Sequence, residues 1–373
     1  MDKRASSCAT LIASLLAILF VLIAPLTLLA FNTGRVVFNP PLVKRLVADE
    51  VVRSDLIPVA LEWFSERRAH ERVERGEALT GVNEPDVALL MSYLTGDDWR
   101  RIKAEVLPDE MLEGWVSVTV DGVYAWIDSP DPVPQIAFSL APFKDRVGGP
   151  HGVNAIMVAY NRLKPCTQAE IADFKKRQAA APPGTEVLYN LCQFPDPWRE
   201  DQVGDYMRAV GDLVRQVPDR FALTEELSRA GASSGHGVGA AVIKLGLRLS
   251  RALMRWGWLV PAVLLLLILI IRVRSVADLG GWWGIPILLA GVIALLVATS
   301  YRLGVTRLLV AGPLSEAPAL VVHEATRASL RLTERIFRPM QVQALALIVV
   351  GLVLSLLLAF RQRKAPQAHQ AAA

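Results

Sequence analysis

Apolar residues gather along this chain into four runs that contain no charged residue. Cys8–Phe31 is the first; Trp256–Ile271 lies between Arg255 and Arg272, Leu279–Tyr301 between Asp278 and Arg302, and Met340–Phe360 between Arg338 and Arg361. At a rise of 1.5 Å per residue, about 20 helical residues cross a hydrocarbon core of roughly 30 Å. Three runs reach that length. The second is shorter and crosses only if its terminal arginines snorkel to the headgroups. Trp256, Trp258, Trp282 and Trp283 sit at run ends, where aromatic belts form. The pattern predicts four transmembrane helices, at 8–31, 256–271, 279–301 and 340–360. The first is read as an uncleaved signal-anchor. A cleaved signal has an apolar core of about 7–15 residues and a small-x-small site, whereas this longer run ends LeuLeuAlaPheAsn.

Between the first two runs the pattern turns amphipathic, and residues 32–230 read as one α-rich domain. Asn39 before Pro40 and Pro41 starts a helix with apolar positions at Leu42, Leu46 and Val47. Further helices are predicted from Pro58 into the charged stretch around His70, and over 84–94, 97–107, 153–163, 167–178 and 201–217. Residues 109–127 fit two periods. ValSerValThrVal, AspGly, ValTyrAlaTrpIle matches a two-residue hairpin, but Leu112, Val116, Val120, Val123 and Ile127 fall on one helical face. The helix is preferred because AspGluMetLeuGlu opens as one; a small β element including 135–140 is the alternative. Residues 231–255 are read as a linker and basic amphipathic helix, 302–339 as a loop carrying a second such helix, and 361–373 as a cytoplasmic tail. The fold class is therefore mainly α: four transmembrane helices with a large extracytoplasmic domain inserted between spans 1 and 2.

Composition agrees with a protein part bilayer and part water: 53% hydrophobic, mean hydropathy +0.35, yet 20% charged. The net charge of +4 implies no nucleic-acid partner, since basic flanks of membrane spans give the same balance. Large domains translocate largely regardless of charge and the first helix usually sets the direction, which favours both termini inside. Arginines flanking the later spans oppose that orientation. Cys166 and Cys192, the only cysteines besides Cys8, read as a disulfide in an exported domain.

Candidate chemistry is sparse. GlyGlyProHisGly lacks the spacing of a phosphate loop, and His151 has no nucleophile beside it in the sequence. GlyAlaSerSerGly at 231–235 satisfies GxSxG but follows a helical rather than a strand pattern, so Ser233 is read as linker. Lys244, Arg248, Arg251 and Arg255 line one basic helix face, and Arg327, Arg331, Arg335 and Arg338 another; both end at a membrane span, which suits docking on anionic headgroups and equally a pair of stalks beneath the outer domain with solvated basic faces. No ionisable residue lies inside a span, which disfavours a coupled transporter. Small residues recur at four-residue spacing, Ala9, Ala13 and Ala17; Ala290, Ala294 and Ala298; Gly351, Ser355 and Ala359, and predict close packing, with spans 1 and 4 touching in their cytoplasmic half, where Ala13 and Ser355 lie. No catalytic, cofactor or metal residues are assigned. The function expected is a membrane-anchored binding, scaffold or assembly protein with the lipid bilayer and an extracytoplasmic or membrane protein as partners. The alternatives are a lipid-handling protein or membrane enzyme with an apolar pocket above the bilayer, and, third, a pore-forming subunit.

Overall fold

The computed structural model describes residues 2–74, 87–182, 187, 189–225, 240–273, 276–312 and 317–364. Helices come in the order α1 (Asp2–Val37), α2 (Pro40–Val47), α3 (Leu56–Glu74), α4 (Val87–Ser92), α5 (Gly96–Val106) and α6 (Asp109–Asp128), and then strand β1 (Ala137–Ser139). They continue with α7 (Ala141–Gly148), α8 (Pro150–Tyr160), α9 (Gln168–Ala180), α10 (Trp198–Gln216), strand β2 (Arg220–Ala222), α11 (Ala240–Trp256), α12 (Leu259–Arg272), α13 (Ile285–Ala311) and α14 (Ala319–Lys364). The chain forms two compact units, one of residues 1–43, 238–312 and 326–373, the other of 44–237 and 313–325.

The second unit is helical, as its periodicity implies. Leu90, Trp99, Ile156, Tyr160, Val203 and Tyr206 from α4, α5, α8 and α10, with Leu94 from the α4–α5 connection, form its main core. The start of α5 is fixed by Thr95: its backbone N–H and its hydroxyl both donate to the Asp98 carboxylate, at 3.0 and 2.7 Å, closing a capping box one turn into the helix. Thr167 and Glu170 do the same for α9. Residues 109–128 are one helix, and the AspGly pair inside it makes no turn. Gly122 is there for packing: a Cβ on it would lie 2.5 Å from Ile136 Cγ1, on the segment that folds back over α6. That segment leads into β1, which pairs antiparallel with β2 in the register Ala137↔Ala222, Phe138↔Phe221, Ser139↔Arg220. The β element is thus real but small, and its partner lies over 80 residues downstream rather than in the neighbouring valine-rich stretch.

Cys166 and Cys192 stand at disulfide distance, 1.98 Å between sulfurs, beside a small core of Ile171, Phe174 and Phe194. Gln202, fully buried, holds this module together. Its amide donates to the carbonyls of Cys192 (2.9 Å) and Asn190 (3.2 Å) and accepts from the Phe194 N–H (3.3 Å).

In the first unit three spans are single helices, and among the described residues a fourth crossing is offered only by a bent pair. Three helical segments among the described residues are long and apolar enough to cross a membrane: Ala9–Val37, Gly280–Leu309 and Ala319–Leu356. The stretch expected as a straight second span is instead the second arm of a bent pair, α11 and α12, whose axes meet at 43°. The α12 arm has 14 residues, about 21 Å of helix. Gly257 and Pro261 cause the bend. A Cβ on Gly257 would lie 2.5 Å from the Leu253 carbonyl, and proline has no N–H to continue the helical ladder back to Gly257. Within the 302–339 stretch α13 runs on to Ala311, and α14 is one helix through Pro339, its basic first half continuous with its apolar second.

The spans pack through their small residues. Ala290, Ala294 and Ala298 are fully buried, the last two with Met340 and Ala344 of α14. Backbones approach so closely that a Cβ on Gly351 would lie 2.5 Å from the Leu288 nitrogen, and one on Gly291 2.9 Å from the Ile348 nitrogen. Gly351→Leu should therefore destabilise the full chain in detergent by about 3 kcal/mol or more, since backbone has to move. Gly304→Ala, at a position with nothing within 4 Å, should leave the melting temperature unchanged or slightly raised. Equal melting of the two variants would refute this packing.

Candidate functional site

The charged groups of the second unit are arranged as structural pairs. Asp98, 2% exposed, binds Arg162 through both carboxylate oxygens, at 2.7 and 2.8 Å, as well as Thr95. Burial pushes its carboxyl up, but the hydrogen bonds from Arg162 and Thr95 outweigh that, and its pKa lies below the usual carboxylate value. Lys103 is buried between the Val52 carbonyl and Asp109, and Arg100 bridges Asp55 and Asp97. Burial pushes the Tyr206 phenol up to about 12. His151 lies in the first turn of α8, its Nδ1 2.6 Å from Glu105, and that hydrogen bond holds the Glu105 carboxyl below its ordinary value. Among the described residues no three His, Cys, Asp or Glu side chains are placed to hold a metal ion. Ser233 lies outside the described residues.

The concave features of the first unit have a different chemistry. An apolar cavity of about 440 Å³ opens between α1, α12 and α14, lined by residues that include Phe20, Leu28, Phe31, Trp258, Leu265 and Gln343. A second cavity, about 240 Å³, lies against the end of α1 and the end of α11, and is lined by Phe31, Gly34, Arg35, Phe38, Arg251, Met254 and Arg255. Phe31 lines both. The helices come very close here: a Cβ on Gly34 would lie 2.7 Å from Met254 Cβ. The guanidiniums sit over aromatic rings, Arg35 5.8 Å from the Phe31 centroid, Arg251 5.9 Å from Phe38 and Arg255 5.6 Å from Trp256. Such stacking fixes the plane of each fork.

The two basic helices expected from the sequence behave oppositely. Along α14 Arg327, Arg331, Arg335 and Arg338 are exposed while Ala328 is buried. Along α11 the inward positions include Lys244, 6% exposed, with Arg251 and Met254 half-buried, while Val242, Leu245, Leu249 and Leu253 are exposed. Arg248 and Arg255 are exposed. An outward apolar face suits hydrocarbon rather than water; α11 presents leucines to its surroundings and turns Lys244 and Arg251 toward the protein, with Arg248 and Arg255 left outward. Of the small-residue ladders, Ala13 is buried and Ala9 and Ala17 half-buried; Ser355 lies against Gly284 and donates to the Gly351 carbonyl at 2.8 Å; the Ala359 side chain lies outside the described set. Helices α1 and α14 are joined by Asn32 Nδ2, which donates to Gln343 Oε1 at 2.7 Å, far along α1 from Ala13, while Gly351 and Ser355 of the expected contact lie against Leu288 and Gly284. The sequence reading missed this pair and Arg35 as well, although the spacing of Arg35 from Phe31 and Phe38 places all three on one helical face. No family model matches the chain, and no curated protein or solved structure matches it either.

Proposed function

We propose that this chain is a membrane-anchored scaffold or assembly protein, which holds its disulfide-bearing helical domain at the outer surface of a cell membrane. The observation that carries the reading is the close approach of Gly34 to Met254. The helix that leads out to the domain and the helix that leads back from it are locked together, so the domain is held at both ends. Its buried ionic groups are committed to internal partners, as expected of a domain that presents a surface rather than performs chemistry. The apolar cavity belongs to the membrane unit, which favours the scaffold over an enzyme pocket in the outer domain.

In this reading α11 and α12 together make the fourth crossing, both termini are cytoplasmic and 44–237 is extracytoplasmic; the disulfide supports an oxidising compartment. Parity gives a direct check. Four crossings put a reporter after Lys364 on the same side as the N-terminus, whereas three put it opposite. A cytoplasmic signal there and an external one from a fusion within 231–235 are expected; the reverse pair would overturn the topology.

The partner is tested by a photo-crosslinking residue placed in living cells at Phe64, Tyr93 or Leu213, exposed apolar positions on the domain. A discrete adduct with a second protein is expected from at least one of them. Recovery of uncrosslinked chain alone from all three would overturn the scaffold reading.

A further inference from the structure

The stripe of α1 that runs from Phe20 through Leu28 and Phe31 to Gly34, Arg35 and Phe38 lines two cavities in succession. The facing stripe does the same, from Leu265 and Trp258 to Met254 and Arg251. The two cavities follow one another along α1 and share Phe31, the first apolar and the second cationic, and together they are treated as one groove. Phe20 to Phe31 is 11 residues, about 16 Å of helix. That matches one leaflet, about half of a hydrocarbon core of roughly 30 Å. The cationic end then falls at headgroup depth, level with Trp256 and Trp258, both exposed as interfacial tryptophans are.

We propose that this groove is a binding site for one anionic glycerophospholipid, with its phosphate among Arg35, Arg251 and Arg255 and one acyl chain along Phe31, Leu28 and Phe20. Three arguments favour this occupant. Guanidinium forks match phosphate oxygens in geometry as well as charge, and three of them, Arg35, Arg251 and Arg255, line the one cavity. The groove changes from cationic to apolar once, at Phe31, as an amphiphile does and a free phosphate or a peptide does not. The apolar end is lined by Phe20 and Leu28 of one candidate membrane span and Leu347 of another, which places the site beside hydrocarbon rather than water. The inference does not depend on the scaffold reading.

The test is native mass spectrometry of the full chain in mild detergent, titrated with phosphatidylglycerol and, separately, with phosphatidylcholine of the same acyl composition. One tightly bound phosphatidylglycerol per chain is expected, at least ten-fold tighter than phosphatidylcholine. Arg251→Gln with Arg255→Gln should weaken phosphatidylglycerol about thirty-fold, from about 1 kcal/mol per basic residue, and leave phosphatidylcholine nearly unchanged. Ala262→Trp, at an exposed position on the apolar lining, should weaken both lipids with the arginines intact; should the double variant misfold, this substitution and Arg35→Gln carry the test. Equal affinity for the two lipids, or phosphatidylglycerol binding unmoved by the arginine and tryptophan substitutions alike, would overturn the site.

Discussion

Loss of the Cys166–Cys192 bridge is expected to destabilise the outer domain by about 3.5 kcal/mol, the chain-entropy value for a loop of 26 residues. For a domain of this size that is a fall in melting temperature on the order of 10 °C. The full chain with Cys166→Ser and Cys192→Ser, melted in detergent beside the parent, measures it. The fold should survive the loss, because hydrogen bonds from Cys166 N to Gln193 O (3.0 Å) and from Gln193 N to Lys164 O (2.8 Å) already align the two segments, and Gln202 pins the second from behind. Collapse of the domain would show that the bridge nucleates this module instead of reinforcing it. The same cysteines report the compartment: a maleimide-polymer reagent should add once to chain taken from its membranes, at Cys8, and three times after denaturation and reduction.

Residue pattern made some of this structure legible and left the rest hidden. Long charge-free runs announce helices because no other backbone satisfies its own hydrogen bonds in hydrocarbon, and Thr95 with Asp97 and Asp98 marks the start of α5 because a capping box is local chemistry. The helix over 109–128 was legible from five apolar residues on one face, against the competing AspGly turn signal. The bend at Gly257 was harder to see, since a hydropathy window sums residues and is blind to axis direction; Gly257 and Pro261, four apart, were the available signal. For that reason the second run, read as one helix, is found as the second arm of a bent pair.

The inverted face of α11 was illegible in principle. Periodicity shows that a helix has two faces but not which one meets solvent, and the same stripe of Val242, Leu245 and Leu249 would be buried in water and exposed in lipid. Only the position of Lys244 against the protein decides it. The arginine cavity follows from that inversion, which is why Arg35, on a different helix more than 200 residues away, was not grouped with Arg251 and Arg255. Gln202 and the Asn32–Gln343 pair were hidden likewise: a polar residue on an apolar stripe has meaning only once its distant partner is placed.

Asp98 shows how much one such partner matters. Asp98→Ala removes the Arg162 ion pair and half of the α5 capping box together. Breaking a wholly buried pair costs about 3–5 kcal/mol, but Arg162 is 45% exposed and can return to water, so the lower end applies, with about 1 kcal/mol added for the cap. We expect the variant to lose about 3–4 kcal/mol at neutral pH. The pH dependence follows from the depressed carboxyl. Because folding lowers the Asp98 pKa below its ordinary value of 3.8, the unfolded chain takes up its proton first as pH falls. The stabilisation is therefore complete above that value and fades as pH drops through the lower, folded one. Asp98→Asn isolates the charge, since its amide keeps the size and one acceptor of the carboxylate. Its deficit against the parent should be full at pH 7 and shrink steadily below about pH 4. A deficit of the same size at pH 7 and pH 3 would show that shape at position 98, rather than the Arg162 ion pair, holds α5 against α8.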